Sequence, residues 1–496
     1  MLLSFKGLKP FQLSEYIFLV LFAFFVPMSW RIATYVMIGL FVCTILKGIF
    51  EEGFKTNELQ YRNKFAYFIF IAFWVIYAIS FLYSENTAEA RMQIGKKLSF
   101  LLFPLFFMTS NLSYLTKDRV RTVMYCFVIG ILTLFVINLF WAGYDVIFEG
   151  AKTSRFYEPD LLKKGTGYIH HSYTSIYSCL GISFCFYELF NENKIGLKLF
   201  NIITVITLIL FIALSSSRAG LLCVTIIFVI TWFWLTFVKK ETKLGVSVGV
   251  IIMCMVIICS IVFNKSIKRI TETIANLDNI ERQDRRIGIT IGYKDLLVDK
   301  FWFGVGAGDR SEETLNSYLR KKEEIIQKIK PVKTSGYFDQ ERRKCLDSIN
   351  KKSGGSLNNS TFKYAEELSE KYNCDYNSVR ENLATYININ VAINSDCNAH
   401  NQFSDTIIAV GVIGLILLLS FFIYPIFLWI KNKNFDIVFF SLLLIIAFNS
   451  LFESVLERQM GIMFFVFFYF LLFHGNFCQQ TNDNGQQTLS NLKYSF

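Results

Sequence analysis

A serine-rich stretch ends in an arginine where two apolar segments meet with almost no loop between them. It reads LSSSRAGLL over 214–222, with Ser217 and Arg218 at the start of the second segment. A guanidinium beside hydroxyl and backbone donors at a helix start can bind phosphate or pyrophosphate. An arginine at a membrane edge can also extend to lipid headgroups. The three serines favour the first interpretation, with Arg218 binding an anion and Ser217 in contact with the same ligand.

A second group of arginines precedes a glycine-rich turn, GVGAG at 304–308. Arg285 and Arg286 can lie on the solvated face of an amphipathic helix, or they can supply a second cation for the same anion. The turn lacks the Lys-Ser/Thr pair of a P-loop, and no strand precedes it. We therefore predict that it is a tight turn that lets the backbone pack closely, rather than a nucleotide cradle.

Three of the four histidines stand at the start of apolar segments. His400 is followed by Asn401, and a neutral imidazole there can accept a proton from a sugar hydroxyl, although a lone histidine is more often structural. His170 and His171 can line the same cavity and contact substrate. Adjacent histidines are poorly placed to bind one metal ion, and no cysteine or carboxylate spacing around them matches a zinc site. We predict no metal and no cofactor.

The stretch FESVLERQMG places Glu453, Glu457 and Arg458 in a turn before the last apolar segment. The sequence leaves two interpretations open for these charges. They can be solvated at the surface, or they can contact the candidate site or the long polar segment 264–405.

The composition shows what must position these residues. Of 496 residues, 53% are hydrophobic and 18% are charged, where a soluble chain has about a quarter charged. The apolar residues form blocks of roughly 20, the length that crosses a bilayer as a helix, which excludes a soluble enzyme, a disordered chain and a β-barrel. We predict an all-α polytopic membrane protein with about 12 transmembrane helices. The predicted spans are about 12–29, 32–49, 65–83, 98–110, 120–143, 169–190, 198–214, 219–238, 244–263, 406–430, 435–452 and 460–474. The fourth span is short and contains Pro104, so it can instead be a kinked or re-entrant segment.

The distribution of Lys and Arg favours both termini in the cytoplasm. The predicted organisation is nine spans in 1–263, a mostly helical segment on the outer side of the membrane in 264–405, three spans in 406–474, and a cytoplasmic tail in 475–496. Part of the net charge of +11 follows from this topology, so it does not indicate nucleic acid. Within 264–405 the pattern predicts helices over 285–300, 311–330 and 361–385. One disulfide among Cys345, Cys374 and Cys397 is compatible with the sequence.

Three motifs, in this order, resemble those of the O-antigen ligase and O-antigen polymerase superfamily of bacterial membrane glycosyltransferases. They are SSSRAG at 215–220, the segment from Arg286 through GVGAGD, and HNQFSDTIIAVGVIGL at 400–415. The stretch ESVLERQMG is also similar, and the resemblance covers roughly 215–475. The family often has a tryptophan where this chain has Thr290, and a proline where it has Phe301.

The resemblance implies a GT-C-like membrane fold and a donor glycan on undecaprenyl pyrophosphate at the periplasmic face of the bacterial inner membrane. It implies that Arg218 and Arg286 stabilise the leaving pyrophosphate and that His400 orients and deprotonates the acceptor hydroxyl. Arg285, Ser217, Asn401, His170 and His171 would bind substrate, and a single displacement would invert the anomeric centre.

The acceptor that the resemblance implies differs within the superfamily. Lipid A-core would make the protein a ligase of lipopolysaccharide biosynthesis, which we favour, whereas a second lipid-linked repeat would make it a polysaccharide polymerase. A serine or threonine would make it a protein O-oligosaccharyltransferase. A glycolipid flippase is the alternative from another class. Transporters tend to have charges near the midplane and repeated halves, and the spans here are almost free of charge.

Overall fold

The computed structural model describes residues 7–52, 63–156, 161–162, 169–215, 217–238, 300–314 and 401–478, together with 240, 246 and 249. Every regular element in these ranges is a helix, which confirms the all-α prediction. The α-helices are α1 (Pro10–Phe25), α2 (Trp30–Lys47), α3 (Lys64–Ser80), α4 (Thr87–Lys96), α5 (Ser99–Thr109), α6 (Lys117–Phe148), α7 (His171–Asn191), α8 (Ile195–Leu214), α9 (Arg218–Phe233), α10 (Gln402–Asn432), α11 (Ile437–Ser450) and α12 (Gln459–Phe473).

Among the described residues, six helices are long and apolar enough to cross a membrane. They are Trp30–Glu51, Lys117–Phe148, Ile195–Leu214, Ala219–Phe237, Gln402–Asn432 and Gln459–Phe477. Helices α1, α3 and α11 are apolar but shorter. The chain is therefore a membrane protein. The full set of twelve spans and the position of the termini stay predictions, and the predicted span 244–263 lies almost wholly outside the described residues.

The fourth predicted span forms a continuous helix, α5, with Pro104 inside it. At 1.5 Å per residue this helix is about 16 Å long, roughly half the thickness of a bilayer core. It therefore cannot cross the membrane as a single straight helix. By contrast, α6 continues well beyond the predicted 120–143, and its 32 residues exceed the length that the core needs.

The chain divides into two units, which are described separately. The first comprises 1–75, 94–263 and 417–496, and the second comprises 76–93 and 264–416. The predicted periplasmic segment 264–405 falls in the second unit, where the structure describes 300–314 and 401–405 of it. The predicted helix 311–330 is helical over 311–314, and its remainder lies outside the described residues, as do the helices predicted at 361–385 and, apart from residue 300, at 285–300. Cys345, Cys374 and Cys397 also lie outside them.

Helix α12 forms the core of the first unit. Its sequence is apolar on every face, and every residue from Gly461 to Phe473 is buried, as expected for a helix surrounded by others. Phe467 packs on Phe22 of α1 with ring centroids 4.5 Å apart, and Phe468 packs on Phe127 of α6 at 4.4 Å. The many phenylalanines therefore fill the interior as well as face lipid. Cys43, Cys179, Cys185 and Cys223 are buried free thiols in apolar helices, where they pack as small hydrophobic side chains.

A buried ion pair joins α1 to α2 in the same unit. Lys47 Nζ lies 2.9 Å from Glu15 Oε2, and Glu15 also accepts hydrogen bonds from Thr44 and Ser110. The Glu15 side chain is fully buried and the Lys47 side chain is 4% exposed. Burial of either charge alone would be costly, so the pair must be kept or lost as a unit.

We expect Lys47→Met to lower the free energy of unfolding by about 3 to 5 kcal/mol, because it leaves the Glu15 carboxylate buried without its cation. The double variant Glu15→Leu/Lys47→Met should recover most of that loss. Thermal unfolding of the detergent-solubilised protein measures both. A single variant as stable as the wild type would contradict the prediction.

Candidate functional site

The N-terminal ends of α7 and α9 are joined by a hydrogen bond between two buried serines of the first unit. Ser217 is the N-cap of α9, and its Oγ accepts from the backbone N–H of Gly220 at 3.2 Å. The same hydroxyl donates to Ser175 Oγ of α7 at 2.8 Å. Ser217 thus holds the start of α9, where Arg218 is the first helical residue, against the start of α7. Contact between Ser217 and a substrate stays a prediction.

The glycine of the SSSRAG motif lets these two helices approach closely. A Cβ on Gly220 would lie 2.6 Å from the Cβ of Ser175 and 2.9 Å from Cγ2 of Ile212. Cys179 Sγ also donates to the Gly220 carbonyl at 3.6 Å. A larger residue here would force α9 away from α7 and displace the segment that begins with Arg218.

A third helix begins at the same corner of the unit. Gly461 in the first turn of α12 packs on α7, and a Cβ there would lie 2.7 Å from Cε1 of Tyr173. The Tyr173 hydroxyl donates to the carbonyl of Val455 at 3.3 Å, and the Tyr177 hydroxyl donates to that of Met460 at 3.2 Å. The N-termini of α7, α9 and α12 therefore meet, and each carries the positive end of a helix dipole. We call this place the N-terminal corner.

Two of the predicted histidines lie at the N-terminal corner. His170 is the N-cap of α7, and its Nδ1 accepts from the backbone N–H of Ser172 at 3.4 Å. The rings of His170 and His171 have centroids 4.1 Å apart, and both residues are half-buried. The charge of Glu453 acts on His171, and those of Glu453 and Arg458 act on Tyr173. Glu453, in the turn before α12, is therefore close to His171.

One of the charges left open by the sequence is in a buried ion pair. Glu457 Oε2 lies 2.9 Å from Lys97 Nζ, and the Lys97 side chain is completely buried. Glu457 therefore anchors the 3₁₀ turn Val455–Glu457 instead of being solvated, whereas Arg458 is exposed. Sequence reasoning missed Lys97 as a positioning residue. The only nearby sequence feature that could have pointed to Lys97 was a pair of lysines immediately before the apolar residues of α5.

The glycine-rich turn belongs to the second unit, and all its backbone donors are engaged. Every N–H from 304 to 309 donates a hydrogen bond within the unit. The acceptors, in order, are the carbonyls of Lys300, Ile408 and Ala409, the hydroxyls of Ser80 and Ser84, and the carbonyl of Gly306. No N–H in this stretch is left to bind phosphate. This confirms the prediction of a tight packing turn rather than a nucleotide cradle.

The turn packs where α10 is broken. Val410 and Gly411 have non-helical dihedral angles, with φ at +71° for Gly411, so the carbonyls of Ile408 and Ala409 accept from the turn instead of from the helix. A Cβ on Gly411 would lie 2.1 Å from the carbonyl oxygen of Trp302. The sequence predicted a membrane span at 406–430 but did not predict this break. The helix breaks because its carbonyls pair with the glycine-rich turn, which is distant in the sequence.

At its start, α10 carries a cap and a buried charge. Asn401 Oδ1 accepts from the backbone N–H of Ser404 at 3.0 Å, as a helix cap does. Asp405 is fully buried and lies 2.7 Å from Nη1 of Arg310. This ion pair links the end of the glycine-rich turn to α10. Arg310 and Asp405 were not identified from the sequence, although both stand beside motifs that were.

The structure brings part of the predicted site together. Ser217, His170 and His171 lie at the N-terminal corner of the first unit, and the backbone of Arg218 begins α9 there. Asn401 lies in the second unit. Arg285, Arg286, His400 and the side chain of Arg218 are outside the description, so their predicted roles stay predictions. Within the described ranges, no group of three or more His, Cys, Asp or Glu side chains is arranged to hold a metal ion.

A comparison with protein-family models and with curated proteins found no match for this chain.

Proposed function

We propose that this protein is a membrane glycosyltransferase of the O-antigen ligase type. It would transfer a glycan from undecaprenyl pyrophosphate to an acceptor hydroxyl at the periplasmic face of the bacterial inner membrane. The observation that carries the proposal is the N-terminal corner, where three helices of 21, 16 and 15 residues begin side by side and one begins with Arg218. Helix starts attract anions, and an arginine among them matches the charge of a pyrophosphate.

The proposed chemistry breaks the bond between the anomeric carbon and the pyrophosphate. Negative charge grows on the leaving group as the bond breaks, so cations already in place lower the barrier. We assign this role to Arg218 and, from its place in the motif, to Arg286. His400 orients the acceptor hydroxyl and takes its proton. Attack from the opposite face inverts the anomeric centre, and Arg285, Asn401, His170 and His171 hold the sugar and the lipid phosphates.

Three acceptors are compatible with this chemistry, and lipid A-core is the one that we favour. A polymerase would use a second lipid-linked repeat, and a protein O-oligosaccharyltransferase would use a serine or threonine. Purified protein in detergent, given a lipid-linked donor and each acceptor in turn, separates them by the product formed. Transfer to lipid A-core, with release of undecaprenyl pyrophosphate, supports a ligase. A folded protein that transfers to no acceptor in detergent, yet moves the donor across a sealed vesicle, would identify a flippase.

We expect His400→Ala to reduce the transfer rate about 10²- to 10⁴-fold, the usual contribution of a general base. His400→Gln retains a hydrogen-bonding group but cannot take a proton. If His400 is the base, the glutamine variant should be as slow as the alanine variant. If His400 only positions the acceptor, glutamine should restore much of the rate. Unchanged transfer by His400→Ala, in protein that elutes as wild type in gel filtration, would refute the assignment.

A further inference from the structure

Three consecutive large aromatic side chains are exposed next to the glycine-rich turn of the second unit. Phe301, Trp302 and Phe303 are 44%, 63% and 59% exposed, and the preceding Lys300 is also exposed. We call residues 300–303 the aromatic turn. Isolated exposed apolar residues are ordinary, whereas a contiguous apolar patch indicates a surface that another apolar phase covers.

The backbone of the aromatic turn is held in place on both sides. Val412 N–H donates to the carbonyl of Phe301 at 2.8 Å, and Val305 N–H donates to that of Ile408 at 2.7 Å. The Tyr83 hydroxyl donates to the carbonyl of Phe303 at 2.6 Å. The rings therefore project from a fixed backbone.

The break in α10 indicates the depth at which this backbone lies. Residues 412–432 alone span about 30 Å as a helix, which is the thickness of the bilayer core. The break at Val410 and Gly411 lies near the start of the candidate membrane span Gln402–Asn432, and the aromatic turn pairs with the backbone at the break. Leu82 is 81% exposed just beyond the end of α3, which adds a further apolar side chain to the same unit.

We propose that the aromatic turn is an interfacial anchor whose partner is the surface of the lipid bilayer. The three rings enter the boundary between headgroups and acyl chains, where tryptophan and other amphipathic rings concentrate in membrane proteins. The Lys300 ammonium pairs with lipid phosphates, as lysines at the membrane edge do. The anchor would fix the glycine-rich turn and the start of α10 at the membrane surface. It does not depend on the proposed transferase activity.

Tryptophan fluorescence in proteoliposomes tests the anchor directly. The lipid is phosphatidylcholine brominated on the acyl chain near its glycerol end, which quenches only rings at shallow depth. We expect this lipid to quench part of the wild-type emission, and we expect Trp302→Phe to lose that part. Trp429→Phe is the matched control, because Trp429 is 4% exposed and packs on Phe439 with ring centroids 5.3 Å apart. It should leave the quenched portion unchanged.

Every other result would overturn the proposal. Equal quenching of the wild type and Trp302→Phe would place Trp302 away from lipid. Quenching of the Trp302 emission by aqueous iodide, but not by brominated lipid, would place it in water. A Trp302 emission that neither agent quenches would mean that protein covers the turn. Trp302→Tyr replaces Trp302→Phe if the latter does not elute as wild type in gel filtration.

Discussion

Replacing Arg218 with alanine should reduce glycan transfer about 10²- to 10³-fold, the loss typical of one preorganised group that stabilises developing charge. Arg218 begins α9 immediately after the Ser217 cap, at the corner where α7 and α12 also begin. A cation there would act together with three helix dipoles on the departing pyrophosphate. Arg218→Lys should recover only part of the rate, because a single ammonium cannot make the two parallel hydrogen bonds of a guanidinium.

The matched control for this experiment is Arg31→Ala. Arg31 is the second residue of α2, and the Ser29 cap accepts from Ile32 N–H there, so it shares the serine cap and helix-start position of Arg218. Its guanidinium lies over the Trp30 ring at 5.4 Å, and it belongs to none of the motifs that predicted the site. Transfer of labelled glycan by purified variants gives the rates. Equal and small effects at both positions would mean that Arg218 contacts lipid headgroups only, and the proposed role would be wrong.

Replacing Gly411 with alanine should destabilise the second unit by about 3 kcal/mol or more, from backbone strain and lost hydrogen bonds. An L-residue rarely adopts the φ of +71°, and its Cβ would meet the Trp302 carbonyl at 2.1 Å. To make room, the glycine-rich turn must leave the break in α10. The hydrogen bonds from Val305 to Ile408 and from Val412 to Phe301 would then be lost.

Gly196→Ala is the control for this second prediction. Gly196 lies in α8, and a Cβ there would meet no atom within 4 Å. Alanine is the better helix former by about 1 kcal/mol, so this variant should be neutral or slightly more stable. The Tm in mild detergent distinguishes the two variants. A Gly411→Ala protein that melts at the wild-type temperature would show that the turn does not need the break.

Local pattern predicted most of the helices. Each predicted apolar segment except 244–263 coincides with a described helix, because helix formation depends on hydrogen bonds and apolar side chains within one stretch of chain. A membrane strengthens this rule, since a backbone in hydrocarbon must satisfy its own polar groups. The limits of single helices were less accurate. Nothing in the composition of α6 marks where its 32 residues leave the bilayer.

A helix start was predictable where its cap and its first residue stand together in the sequence. The SSSRAG stretch contains both the cap and the arginine that follows it, so the start of α9 could be recognised from a few residues. The side chain that binds the Ser217 cap could not be recognised from the sequence. The hydroxyl of Ser217 bonds to Ser175, which stands in an ordinary apolar segment and has no sequence feature that marks it.

Amino-acid order therefore established the helical class and the membrane setting, and it predicts a cationic candidate site. Folding in three dimensions established which distant groups meet: Lys97 with Glu457, Arg310 with Asp405, and the glycine-rich turn with the break at Gly411. The reason is physical. A buried charge or an unsatisfied carbonyl must find a partner, but any complementary group brought near by packing can serve. Only the packing of helices far apart in the chain selects which one it is.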